Sequence, residues 1–242
     1  MSADVLNEIQ NIWDAVVAVH HDPSTYVLLG TGIAALILII APGVWPLTRH
    51  FITVIHEGGH AFIALLAGRK LTGIKLHSDT SGLTLSRGKP RGLGMIFSLL
   101  AGYTAPTILG LGATWMLVSG RPAAVLWLLL VIFTLILLQV RNFYGLWVML
   151  VLGFGIFALT WWASAELQQI AAYLITWFLV ISAPRPVLEM QKQRRRGASM
   201  SDADQLGRLT HTPGGLWTFV FFAITLAGLV GAGMLLLKPV SW

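Results

Sequence analysis

Residues 56–60 read His-Glu-Gly-Gly-His. On a helix, two histidines four residues apart lie one turn apart on one face, so His56 and His60 can turn their imidazoles toward a single ion. Glu57 lies beside that face. Neutral imidazole suits a divalent ion such as zinc, which in a reactive site keeps one coordination position open. Water at that position ionises near pH 7 and becomes a nucleophile. Glu57 is then placed to take its proton and pass it to a leaving amine. The chemistry these five residues point to is hydrolysis.

Two histidines leave such a centre one protein ligand short. The chain has no cysteine, so no thiolate can serve and no disulfide framework exists. The carboxylates on offer are Asp79, Glu166, Glu189, Asp202 and Asp204. The motif lies near the end of its apolar segment that leads into the basic stretch 69–92, which favours Asp202 or Asp204, just before the last apolar segment, over the rest. Ser201-Asp202-Ala203-Asp204 also reads as a helix start, with Ser201 as cap and acids in the first turn. Spacing alone leaves the two aspartates open.

What must hold these residues is set by composition. Of 242 residues, 56% are hydrophobic and 11% charged, and mean hydropathy is +0.76. A soluble domain carries about 25% charged residues. The chain reads as an all-α polytopic membrane protein of about six to seven transmembrane helices, with a small cytosolic β-hairpin after the motif helix. Seven apolar segments qualify as spans: 27–47, 51–67, 93–119, 123–140, 143–163, 167–183 and 216–237. Each must be helical, because lipid offers no partner to a bare backbone amide. One integral membrane domain, 1–242, accounts for the whole chain. It has an acidic N-terminal segment (1–26, with Asp4, Glu8, Asp14 and Asp22), spans over 27–183 with the hairpin at 69–92, a polar segment at 184–215 and a last span at 216–242.

The motif falls inside the second span. An ionisable side chain there costs about 2.5–3.5 kcal/mol on insertion scales and marks function by default. Thr53, His56, Glu57, His60 and Ala64 form one polar or small stripe that faces protein or water. The rival reading is a buried polar cluster that holds helices together, with Gly58 and Gly59 as packing notches.

Basic residues set the orientation. With the N-terminus cytosolic, thirteen of the sixteen fall inside; only Arg49, Arg121 and Lys238 fall outside. The pI near 10.1 reflects this bias; no nucleic-acid recognition motif accompanies it. Arg194-Arg195-Arg196 reads as a lipid anchor. Residues 71–86 read as two strands around Asp79-Thr80-Ser81-Gly82, a hairpin that offers an edge strand to an unwound substrate helix or lies on the membrane surface. Asn142, in Arg141-Asn142-Phe143-Tyr144-Gly145, is a candidate for binding substrate backbone, although such a residue more often marks a turn between spans. His77 and His211 read as exposed.

The motif within a span, the hairpin directly after it, Ala101-Gly102-Tyr103 with Pro106 in the next span, and Ser201-Asp202-Ala203-Asp204-Gln205-Leu206 continuing to Thr210, Pro213 and Trp217 together resemble the site-2-protease family of intramembrane zinc metallopeptidases, in a compact bacterial branch without a PDZ domain. The matches cover about residues 50–107 and 199–217. The wider family's Leu-Asp-Gly signature is absent. The resemblance implies a zinc metalloprotease of the inner (plasma) membrane that cleaves transmembrane-helix proteins near the cytosolic face. It implies zinc on His56, His60 and Asp202, with Glu57 as the catalytic base. The other class of function compatible with the residues is a non-catalytic metal-binding or scaffold protein, such as a pseudoprotease or transporter component.

Overall fold

The structure is a computed structural model, and it describes residues 3–20 and 23–238. Asp22 and the last four residues of the expected final span lie outside them. The described residues form helices α1 (Ala3–Val17), α2 (Thr25–Ile40) and α3 (Trp45–Leu66), then strands β1 (Lys70–Leu76) and β2 (Gly82–Arg87). There follow α4 (Leu93–Val118), α5 (Pro122–Leu137), α6 (Phe143–Trp162), α7 (Ala165–Ser182), α8 (Pro184–Arg195), α9 (Asp202–Thr210) and α10 (Gly214–Leu236). The architecture is helical and polytopic. Helices α4, α6, the run α7–α8 and α10 are long and apolar enough to cross a membrane. Leu150, Phe154, Phe219 and Val230 on α6 and α10 stand exposed, as lipid-facing residues do.

Two of the seven expected spans, 27–47 and 51–67, take a different form. They become α2 and α3, bent by 101° at a short break. Pro42 has no amide hydrogen to continue α2, and Pro46 is preorganised for the first turn of α3. The fourth expected span, 123–140, shortens to the 16 residues of α5, about 24 Å of helix against a bilayer core of about 30 Å.

Taken as one span, the bent pair lowers the count of crossings. The His20 amide donates to the Gly120 carbonyl at 2.7 Å, so the end of the N-terminal segment sits beside the α4–α5 turn. The 26 residues of α4, about 39 Å long, separate that turn from the base of the hairpin. The N-terminal segment thus lies opposite the hairpin, not on its side as the charge count with seven separate spans required. Arg49 moves as well. Arg49 and Arg185, expected on opposite sides, both reach Glu189, at 3.4 and 3.2 Å.

The hairpin is antiparallel, pairing Lys70 with Arg87 and Leu76 with Gly82. It folds back along α3 and does not lie flat on a surface. At its tip, the Thr53 hydroxyl donates to the Thr80 carbonyl at 2.8 Å, and Arg49 donates to the Thr80 hydroxyl at 2.7 Å. The outer edge of β1 is already filled. Ile74 donates to the Gln139 carbonyl and accepts from the Arg141 amide, at 2.8 and 2.9 Å. Asn142 continues that pairing with its side chain: its Oδ1 accepts from the Leu76 amide at 3.1 Å and its Nδ2 donates to the Leu76 carbonyl at 2.7 Å. The short α5 makes this possible, because its early end leaves residues 138–142 level with the strand.

Asn142→Ala removes both bonds to Leu76. Loss of two partly buried hydrogen bonds is worth about 1–3 kcal/mol, so amide exchange at Leu76 is expected to quicken by roughly tenfold or more, while exchange along α10 stays unchanged.

Candidate metal centre

Helix α3 carries the first two donors. On it His56 Nε2 and His60 Nε2 stand 3.0 Å apart, with the rings at 83° to each other. Helix α4 fixes the second ring. The Ser98 carbonyl lies 2.7 Å from His60 Nδ1. A carbonyl only accepts, so Nδ1 carries the hydrogen and Nε2 keeps its lone pair. The Ser98 hydroxyl donates back to the His60 carbonyl at 3.1 Å.

The third donor arrives from far along the chain. Asp202 Oδ2 lies 3.4 Å from His56 Nε2 and 3.2 Å from His60 Nε2. The reason is the packing of α9. Its Ala203 and Leu206, fully buried, sit in a small apolar cluster with Leu99 of α4, Val187 and Met190 of α8 and Phe221 of α10. Anchored there, the first residue of α9 points at the imidazoles. The three atoms form a triangle with edges of 3.0–3.4 Å. A tetrahedral ion with bonds of about 2.0–2.2 Å needs donors roughly 3.3–3.6 Å apart. Three electron-rich atoms at this spacing suit a divalent cation such as zinc.

The other carboxylates are used elsewhere. Asp79 accepts from the Ser81 amide and hydroxyl in the hairpin turn. Glu166 occupies the first turn of α7. Glu189 accepts from Trp45 Nε1 at 2.8 Å and faces Arg49 and Arg185. Asp204 closes the capping box of α9 with Ser201 and takes Arg194 Nε at 2.8 Å. Burial works to raise the Asp204 carboxyl, but the Ser201 hydroxyl and the Arg194 guanidinium outweigh it and hold the group below the usual carboxylate range. The structure thus brings His56, His60 and Asp202 together and leaves Asp204 to the helix start. Asn142 is held at the hairpin, on Leu76.

Glu57 is buried beside the triangle. Its Oε2 accepts from the Thr84 hydroxyl of β2 at 2.6 Å. A cleft of about 500 Å³ opens over these groups, lined by Thr53, His56, Glu57, Gly82, Tyr103 and Asp202 among others. The Tyr103 ring meets that of His56 edge-on, centroids 4.6 Å apart.

Glycine makes the closeness possible. A Cβ on Gly102 would stand 2.6–2.7 Å from the imidazole carbons of His60 and His56. The motif's own glycines serve packing, as the rival reading held: a Cβ on Gly58 would strike Ile136 of α5 and one on Gly59 would strike Ala105 and the Ala101 carbonyl, at 2.6–2.8 Å. Notches and metal donors coexist on one helix because they occupy different faces.

Several residues at work here escape the sequence analysis. Thr84 carried a usable signal: in Gly-Leu-Thr-Leu-Ser-Arg small or polar residues alternate with leucines, so one face turns inward. Ser98 carried none, since serine within an apolar helix usually bonds its own turn. Arg194 is half-buried against Asp204, Gln191 and Thr218, whereas Arg195 and Arg196 are exposed. Nothing in the triplet distinguishes it.

Asp202→Ala is expected to abolish metal retention through gel filtration. Asp204→Ala should retain metal and lose about 1 kcal/mol of stability, the usual worth of a helix cap, seen as a lower Tm. Metal loss in the second variant alone would reverse the two assignments.

The family profile described as Peptidase M50B-like matches residues 29–232. No curated protein and no solved structure matches the chain. The profile spans the bent pair, the hairpin, the histidine helix and α9, and the chain belongs to the Peptidase M50B-like family, the site-2-protease family of intramembrane metalloproteases.

Proposed function

We propose that the protein is a zinc-dependent intramembrane protease that hydrolyses a peptide bond of membrane-embedded proteins near the cytosolic face. The observation that carries this reading is the convergence of His56, His60 and Asp202 within 3.4 Å beside a buried Glu57. His56, His60 and Asp202 would hold the ion. When bound, it supplies Lewis acidity toward the scissile carbonyl and a water acidic enough to be deprotonated near pH 7. Glu57 takes that proton on the carboxylate oxygen not engaged by Thr84, then delivers it to the leaving nitrogen. The cleft excludes lipid and confines water to the bond under attack.

A substrate helix must unwind before it reacts, since its amides are bonded internally. The hairpin supplies a template. Ile74 and Leu76 spend their backbone groups on residues 139–142. Their cross-strand partners Thr84 and Gly82 therefore direct their amides and carbonyls away from β1, with no partner on that side among the described residues. Gly82 also lines the cleft. An extended substrate segment adding to this edge lies alongside Glu57.

The basic residues orient the whole. With Arg49 on the side of Arg185, every Lys and Arg except Arg121 and Lys238 belongs to the side of the hairpin, α8 and α9. We take that side as cytosolic, in an inner (plasma) membrane, with the N-terminal segment on the opposite side.

The test is Glu57→Gln. It is expected to keep the metal stoichiometry of the wild type and to slow cleavage of a single-span reporter helix in vesicles by about 10²–10⁴-fold. Unchanged cleavage would sink the mechanism.

A further inference from the structure

We infer that Thr84 is the positioning residue of the catalytic base, a role that rests on the protease reading above and goes beyond it. The Thr84 side chain stands between two acceptors, the Glu57 carboxylate at 2.6 Å and the Glu57 carbonyl at 3.1 Å. One hydroxyl has one hydrogen, and the shorter contact to the charged group takes it.

Glutamate has three rotatable side-chain bonds, and on a helix next to an open cleft it samples several rotamers. Here the strand encloses it. Two residues before Thr84 on the same face, Gly82 leaves only enough space for the carboxyl: a Cβ there would stand 2.5–2.7 Å from Glu57 Cγ and Cδ. Gly82 supplies the room and Thr84 the grip. Oε2 is thereby anchored, and Oε1 is left to receive a proton.

The position of Thr84 gives this grip a second meaning. Its side chain faces α3, while its amide and carbonyl lie on the open edge of β2, opposite Ile74. The residue that would pair with an extended substrate segment is the residue that aims the base. β1 cannot drift, because Gln139, Arg141 and Asn142 hold its far edge. The distance from the substrate's scissile bond to Glu57 is then set by one short strand, without reliance on helix packing across the bilayer.

The experiment uses the full chain, zinc-loaded, in vesicles with the single-span reporter. Thr84→Val keeps the shape and removes the hydroxyl; Thr84→Ser keeps the hydroxyl. Thr84→Val should lower kcat by about 10²-fold, with KM within roughly twofold and zinc content unchanged, and Thr84→Ser should recover most of the rate. A second measurement needs neither metal nor turnover. In metal-free protein, Thr84→Val should lower the Tm in the wild-type background and have a smaller effect in a Glu57→Ala background, because the bond is then already gone. Wild-type kcat in Thr84→Val, equal loss in Thr84→Ser, or equal Tm shifts in both backgrounds would each overturn the assignment. If Glu57→Gln still cleaves, the protease reading itself falls. If Glu57→Gln is inert and Thr84→Val is fully active, only the role of Thr84 falls.

Discussion

Two imidazole nitrogens and a carboxylate oxygen stand within 3.4 Å of one another, a spacing that requires a shared proton or a cation among them. The elements around the triangle hold it in shape. His60 is locked by the Ser98 carbonyl. Asp202 is delivered by a nine-residue helix whose only buried residues are Ala203, Leu206 and Gly207. The backbone of α4 comes close enough only because position 102 has no side chain. Structural elements separated by some 140 residues are built around a few cubic ångströms.

The hairpin answers a different demand. Glu57 stands beside the triangle without joining it, and its carboxyl is buried. Thr84 occupies one of its carboxylate oxygens. The cost of burying polar groups is offset locally at each level. Thr53 and Arg49 satisfy the turn at Thr80, whose backbone adopts a left-handed conformation with φ of 68°. Asn142 satisfies Leu76. A two-stranded sheet alone is marginal in water; this one has a helix on one face and a third backbone segment on one edge.

Much of this was legible in the sequence for a physical reason: local patterns encode local geometry. The i, i+4 histidines and the Asp79–Gly82 turn each act within a few residues, and each appears where the spacing puts it. The pairing of Asp202 with the histidines was reachable only through resemblance, because capping chemistry suits both aspartates equally and the packing of Ala203 and Leu206 that separates them is tertiary. The short α5 was illegible for the same reason. Residues 138–140, Leu-Gln-Val, are apolar enough to continue a helix, but Gln139 and Val140 leave it to pair with β1. Arg194 and Arg195 are alike in sequence and opposite in environment.

The sidedness argument is the most instructive. Counting charges presumed that each apolar run is a separate straight span, and the pair that meets at Pro42 is bent by 101°. A helix broken in or near lipid exposes carbonyls that need donors. Here the Thr48 hydroxyl of α3 donates to the Leu38 carbonyl, the Arg185 guanidinium of α8 bonds the Ile39 carbonyl and stacks over Trp45 at 4.4 Å, and Glu189 takes the Trp45 indole and draws in Arg49. The charges that appeared to belong to opposite faces are the repair of a single break. Because α8 repairs the break and also packs α9 against α4 through Val187 and Met190, the bend at one end of the histidine helix and the third donor at its middle are held by the same twelve-residue helix. Loosening either contact shifts the other, so the geometry of the centre and the topology of the chain are set together.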